Sequence, residues 1–347
     1  MKHIPHPFRL ILLAAIITTC CSSCEKIFME SDPEGTPTST FQYLWQKVDE
    51  QYAFFDVKAV NWDSVRLVYA PLVTNDISND STFAVLAAML NCLNDGHVNL
   101  TSRYNVSRCE AVYTRMYERM QIDPRVVALH YLGPDYHSTG GFRHNGLRHD
   151  SVIYVRYSSF SGSASPKYFD YIVHHYPKAQ GLVLDLRQNG GGMIENVWNL
   201  LRMLPYSGNK LYETQIKSGP KHNEFSPLES VFTPHNLDNY KPYDKLMVVL
   251  TDRGSYSATS FFALCCKSYP NVTTLGDTTG GGLGLPNGGQ LPNGWYYRFS
   301  ITRTIAPDGG NYENGVPPDE TLFLDTIATR QGHDNIIDRA IAIILNE

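Results

Sequence analysis

The chain reads as an α/β fold built on a largely parallel sheet, and three observations predict it. Residues 181–186 (GLVLDL) form a near-continuous apolar run, the pattern of a strand covered on both faces. A second run, Leu246, Met247, Val248, Val249, Leu250 and Thr251, stops at a small polar turn, and an apolar helical segment starts directly after it. From Ser151 onward, strand and helix patterns alternate, as in βα units rather than in an all-β or all-α chain.

The 347 residues, 42% of them hydrophobic, suffice for a full core of one larger and one smaller unit. A formal charge of −5 leaves no basic footprint, so a nucleic-acid partner is disfavoured.

Residues 1–24 read as a targeting segment: Lys2, His3, His6 and Arg9 precede an apolar stretch over 10–17 that is too short to span a bilayer. The run ending in Ser22, Ser23, Cys24, Glu25 and Lys26 resembles the lipobox of bacterial lipoproteins. It implies lipidation at Cys24, with Cys20 as the alternative and plain secretion after Ser23 as the simpler reading. A lipidated cysteine would anchor the chain to a membrane surface in the cell envelope, periplasmic or outer-membrane, without spanning it. The remaining cysteines, Cys92, Cys109, Cys265 and Cys266, lie in or beside apolar runs. None has metal-ligand spacing, so no metal or cofactor is expected. An oxidising compartment permits a Cys92 to Cys109 disulfide, which the sequence does not establish.

Residues 25–37 are a polar Pro/Gly tether. Over 38–101 a small helical subdomain is expected, from three signals. Phe41, Leu44, Trp45, Val48 and Tyr52 recur at helical spacing behind Thr38 and Ser39. Asn61 opens a second helix, and Asp80 precedes a third with Phe83, Leu86, Leu90 and Leu93 on one face. This third helix runs into Asn94, Asp95, Gly96 and His97, a turn feeding a short strand. A histidine there is ordinarily a surface or capping residue. Residues 102–150 are polar, with scattered histidines at no metal-like spacing, and read as a linker or excursion.

In the core over 151–347, a strand covers 151–157, and Pro166 opens a helix to about Tyr176. The strand 181–186 is followed by Arg187, Gln188, Asn189 and the glycines 190–192, then by a helix presenting Ile194, Val197, Trp198, Leu201 and Leu204. Consecutive glycines at such a turn let backbone amides approach a ligand. They match neither a phosphate loop nor a complete dinucleotide fingerprint. The second strand ends in the turn that carries Ser255 and Ser257. A serine there is an N-cap, or a nucleophile placed where helix amides stabilise an oxyanion; the two roles are compatible. In an open α/β sheet both turns lie at the carboxyl ends of strands and can face one crevice.

Farther on, the polar stretch 205–244 has few regular signals and suits a lid or binding loop or, equally, a disordered loop. Trp295, Tyr297, Phe299 and Ile301 alternate in a half-buried strand whose edge would suit addition of an extended peptide. A last helix starts at Asp334.

DLRQNGGG at 185–192, SYSATS at 255–260, TLGDTTGGG at 274–282, LPNG at 291–294 and ENGVPPD at 313–319 resemble, in order and spacing, the S41 serine peptidases. These are the tail-specific or C-terminal processing proteases and their tricorn-core relatives. LNDGH at 93–97 resembles the end of the same family's N-terminal part. The resemblance covers about 38–101 and 151–325 and implies a ClpP/crotonase-like α/β core. It places the nucleophile at Ser257 and oxyanion donors at the amides of Ala258 and of Gly190 or Gly191. The lysine base of the processing-protease branch falls on Gly282, so a Ser/Lys dyad is not expected. His97 resembles the base of the tricorn-like branch, and Glu313 the acidic residue that orients it through a relay. Two further departures are the Thr259–Ser260 pair in place of Ser-Glu, and an excursion too short and polar for the family's PDZ-like domain.

The implied activity is serine-type endopeptidase cleavage of extended or unfolded polypeptides through an acyl-enzyme. The rival readings are a non-catalytic peptide- or glycan-binding lipoprotein on the same fold and, more remotely, thioester chemistry of crotonase type. A secretion signal opposes the latter. Nothing in the sequence sets the oligomeric state.

Overall fold

A computed structural model describes residues 33–347. The expected signal segment and Cys24 lie outside the described residues.

The helical subdomain contains α1 (Pro37–Gln51), α2 (Trp62–Tyr69) and α3 (Asn79–Asn91). Asn61 caps α2 as its side chain suggests, but α1 is capped by Thr36 and α3 by Ser78. For α1 the reason is Pro37, whose fixed φ and missing N–H suit the first helical position. Leu44, Val48, Leu86 and Leu90 pack with Tyr297 and Phe299, so this subdomain is seated on strands contributed by the C-terminal half. The short strand β1 (Asn99–Thr101) makes the same join through backbone pairing.

Residues 102–150, expected as a linker or excursion, are ordered elements. They comprise α4 (Glu110–Tyr117), a helical stretch over 124–132, and the hairpin β2 (His137–Thr139) and β3 (Phe142–Leu147). β3 pairs antiparallel with β4 (Val152–Arg156), so the main sheet begins before Ser151. The sequence of β3, FRHNGL, has no apolar run; its strand state comes from pairing, not from intrinsic preference.

After α5 (Pro166–His175) come β5 (Gly181–Asp185), α6 (Ile194–Leu201), β6 (Lys210–Ile216), β7 (Glu229–Phe232) and β8 (Leu246–Thr251). Then follow α7 (Ala258–Cys266), β9 (Val272–Gly276), β10 (Pro286–Gln290), β11 (Tyr296–Ser300), β12 (Thr302–Ile305), β13 (Glu320–Thr321) and α8 (Asn335–Leu345). The seven-stranded sheet runs β13-β9-β8-β5-β4-β3-β2, with β4, β5, β8, β9 and β13 parallel. Alternate residues go to opposite faces. Leu182 and Leu184 face the cluster that includes Phe262 and Leu201, while Val183 and Val248 face Ile336, Ile337 and Ile341 of α8. Helices on both faces explain why these strands read as continuous apolar runs.

Two expectations are revised here. The stretch 205–244 contributes β6 and β7 to a three-stranded sheet with β12. β11 is flanked by β1 and β10, so its two edges are already paired. The four described cysteines are free thiols, and Cys92 is not bonded to Cys109. Among the described residues no helix is long and apolar enough to cross a membrane.

Candidate active site

β5 and β8 are parallel neighbours, in register from Gly181↔Leu246 to Asp185↔Leu250, so the turns that leave them emerge side by side at one end of the sheet. Asp252 ties the two together. Its Oδ1 accepts the Gln188 N–H at 2.8 Å as well as the Gly254 and Ser255 amides, and its Oδ2 accepts Gln188 Nε2 at 2.8 Å. Ser255 Oγ donates to the Leu186 carbonyl at 2.9 Å, and the Tyr256 N–H donates to the Asn189 carbonyl at 3.0 Å. Ser255, one of the two serines offered as a cap, is therefore a cross-turn strut.

Beneath the glycine turn lies Arg187, fully buried. Its guanidinium donates to Asp185 Oδ2 at 2.7 Å, to Asp334 Oδ2 at 2.9 Å and to the Gln121 carbonyl at 2.6 Å. Burial alone would raise the Asp185 carboxyl, but Arg187 and Arg156 outweigh it and hold its pKa down at about 2. A buried charge without such partners would cost several kcal/mol, about 3–5 when one partner is removed. The network thus fixes the start of the triglycine turn to the cap of α8.

The glycines have different jobs. Gly191 has φ +96, and a Cβ there would stand 2.7 Å from the Tyr256 carbonyl oxygen and 2.9 Å from Ser257 Cβ. Only glycine permits this approach. Its amide donates to Asn189 Oδ1 at 3.0 Å. Gly190 is exposed, and a Cβ there would meet nothing within 4 Å. Of the two expected oxyanion donors, Gly190 is the one whose amide carries no hydrogen bond among the described residues.

Ser257 directly precedes α7 with φ 57 and ψ −121, a conformation that a side chain adopts only under constraint. The constraint is visible. The Ser257 N–H donates to the Gly281 carbonyl at 2.8 Å, and its carbonyl accepts the Phe261 N–H at 2.9 Å. Ser260, at the family's glutamate position, donates to the Ser255 carbonyl at 2.9 Å and accepts the Gly281 amide at 3.1 Å. The Ser257 side chain caps nothing. Its Oγ lies 2.9 Å from His97 Nε2, across 160 positions of sequence.

His97 is buried, and burial is the main force pushing its imidazole below the usual value, with the Asp95 charge opposing. The ring is accordingly neutral near pH 7, the state a general base requires. Asp95 Oδ1 accepts the His97 backbone N–H at 2.7 Å, and its Oδ2 accepts the Tyr52 hydroxyl at 3.0 Å. Neither role of Asp95 nor that of Tyr52 was anticipated. The available signal was an aspartate two residues before a histidine, the spacing of an Asx turn.

Glu313 reaches the site through the backbone. Its Oε2 accepts the amides of Leu283 at 2.8 Å and Gly284 at 2.9 Å, and no hydrogen bond joins it to the ring. The Gly284 carbonyl favours the protonated imidazole, while buried Nδ1 itself has no hydrogen-bond partner. Burial, reinforced by the charge of Asp95, raises Glu313 to about 8, so the group is mostly protonated near neutral pH. The structure therefore brings together Ser257, His97 and Ala258, with Gly191 packed against Ser257, and keeps Glu313 one backbone segment away.

The absence of a lysine at 282 has a steric counterpart. Gly282 has φ +78, and a Cβ there would lie 2.5 Å from Tyr256 Cζ. The Tyr256 ring occupies that space, 5.2 Å from the His97 ring centroid.

The model of peptidase family S41 matches residues 151–322, and that of the tricorn protease C1 domain matches 33–91. The carboxy-terminal processing protease CtpA of Bacillus subtilis is 24% identical over 174 residues, 50% of this chain and 35% of that protein. The chain thus spans about a third of the length of that relative. The crystal structure of a peptidase candidate from Parabacteroides merdae is 34% identical with a TM-score of 0.82, covering 89% of this chain and 97% of the other. Mature CPAF complexed with lactacystin has a TM-score of 0.69 at 12% identity, covering 90% and 99%, a likeness of fold alone.

Proposed function

From the premise that this chain belongs to peptidase family S41, we propose that it is a serine-type endopeptidase acting on extended or unfolded polypeptides through an acyl-enzyme. The observation that carries the reading is the 2.9 Å approach of His97 Nε2 to Ser257 Oγ. In the first step Oγ attacks the scissile carbonyl carbon while its proton passes to Nε2. Negative charge develops on the carbonyl oxygen, and the amides of Ala258 and Gly190 are its donors, aided by the N-terminus of α7. The tetrahedral species collapses as the imidazolium gives its proton to the departing amine. Water, deprotonated by the same nitrogen, then releases the acyl group and restores Oγ–H.

Asp95 supplies the charge that stabilises the imidazolium, and its bond to the His97 amide holds the residue in place. Glu313 serves as a positioning residue, fixing the 283–284 backbone beside the ring. Anchorage of the mature chain to a membrane surface through lipidated Cys24 belongs to the same reading and rests on the sequence alone.

The test is reaction with a fluorophosphonate probe together with hydrolysis of an unfolded protein. Wild type should label and cleave, and Ser257→Ala should do neither. A folded wild type that neither labels nor cleaves would move the chain to the non-catalytic binding class.

A further inference from the structure

The His97 ring makes one hydrogen bond among the described residues, from Nε2 to Ser257 Oγ, and its buried Nδ1 has no partner there. Asp95 holds the main chain of His97 and leaves the ring torsion to its neighbours. An imidazole turning about that torsion occupies broad, roughly twofold wells. The plane needs a constraint, because a misplacement of about 1 Å can cost about a hundredfold in rate.

Tyr256 is the neighbour built to supply it. The side chain is buried, with its ring centroid 5.2 Å from that of His97 and the two planes inclined by 58°, within the range of a direct ring contact. It occupies a slot that three glycines from two segments keep open. A Cβ at Gly280 would stand 3.1 Å from Tyr256 Cδ2, one at Gly282 2.5 Å from Cζ, and one at Gly96 2.7 Å from the phenolic oxygen. One edge of the ring is thus pressed against main chain along its length. Cys109, with Val112 and Met116 of α4, packs with Tyr256 as a small apolar cluster of its own. The backbone is held as firmly: the Tyr256 N–H donates to the Asn189 carbonyl at 3.0 Å, and its carbonyl accepts the Thr259 N–H at 3.1 Å. The phenol is no substitute for a lysine base. Burial, reinforced by the charges of Asp95 and Glu313, pushes it well above the usual range, so it stays protonated and neutral.

We infer that Tyr256 is a positioning residue whose ring sets the plane of the His97 imidazole toward Ser257, by contact and not by a hydrogen bond, in the space that a lysine at 282 would need. The inference rests on the peptidase reading above. The same contact keeps water from the imidazole, which gives the role a signature beyond stability.

The full chain is compared as wild type, Tyr256→Ala and Tyr256→Phe. The readouts are kcat and KM on an unfolded protein and the His97 titration by NMR, its signal assigned by loss in His97→Gln. Tyr256→Ala should lower kcat by about thirtyfold, with KM within about threefold. Its imidazole, now hydrated, should bind the proton up to about tenfold more tightly, which carries the acid limb of the pH profile to higher pH. Tyr256→Phe, which restores the ring without its hydroxyl, should bring both readouts back to within about threefold of wild type. If Tyr256→Ala does not fold, Tyr256→Leu, which keeps apolar volume without the flat face, is judged by the same loss of kcat. A folded Tyr256→Ala that matches wild type in kcat or in titration overturns the inference. So does a Tyr256→Phe as impaired as Tyr256→Ala, which would place the effect in the hydroxyl. The titration needs no turnover: a wild type that neither labels nor cleaves sinks the peptidase reading, while the His97 signal still reports whether Tyr256 governs the ring.

Discussion

Asp95 grips His97 by its backbone: the carboxylate accepts the histidine N–H at 2.7 Å while its second oxygen accepts the Tyr52 hydroxyl at 3.0 Å. The ring that faces Ser257 is therefore oriented from its own main chain, and the nearest stabilising charge comes from the turn rather than from a partner on Nδ1.

Asp95→Asn keeps one acceptor oxygen for the His97 N–H, puts an N–H donor where the second oxygen faces the Tyr52 hydroxyl, and removes the charge. Because that charge raises the imidazole pKa, its loss lowers it further, and the acid limb of the kcat/KM profile should move to lower pH. The plateau should fall by about tenfold or more, since the imidazolium loses its counter-charge. A histidine NMR titration checks the shift directly.

Glu313→Gln imitates the protonated acid and should retain activity near pH 7 within a few-fold, whereas Glu313→Ala, which releases the Leu283 and Gly284 amides, should cost about tenfold or more. Stability gives a second reading. The folded pKa of about 8 lies above the ordinary 4.5, so the folded state holds the proton more tightly. That contribution is complete below pH 4.5 and is lost as pH rises toward 8. Wild type should lose melting temperature across this window relative to Glu313→Gln.

Gly190→Ala and Gly191→Ala separate two neighbouring glycines. A methyl at 190 meets open space, so the variant should melt with wild type. At 191 it would collide with the Tyr256 carbonyl and with Ser257 Cβ, at positive φ. Gly191→Ala should lose activity and be destabilised by about 1–3 kcal/mol.

Asp334→Ala leaves Arg187 buried with half its counter-charge and removes the cap of α8. Urea denaturation should show a loss of about 3–5 kcal/mol. Labelling of Ser257 should fall with it, because Arg187 fixes the triglycine turn.

What the sequence made legible follows from periodicity and punctuation. The apolar runs of β5 and β8 announced a sheet covered on both faces, and Asn61, Pro166 and Asp334 marked helix starts where their side chains act locally. β3 and the β6–β7 pair were not legible, because polar strands such as FRHNGL are specified by their neighbours. Ser257 and His97 stood out only through neighbouring motifs, and the structure sets them 2.9 Å apart. Tyr52 and Tyr256 were hidden, since each acts through a contact between segments distant in sequence, whereas Asp95 binds the His97 amide two residues on. What no spacing reveals is how Glu313 is held: its Oε2 accepts the Leu283 and Gly284 amides, and it makes no direct bond to the ring.

The Arg187–Asp334 pair also sets an order of events in time. His97 belongs to the first hundred residues and Ser257 follows 160 positions later, yet the triglycine turn is braced by the carboxylate that caps the start of α8. A ribosome-bound chain lacking α8 holds serine and histidine but not the brace. The triglycine turn is thus locked only once α8 has packed against the sheet.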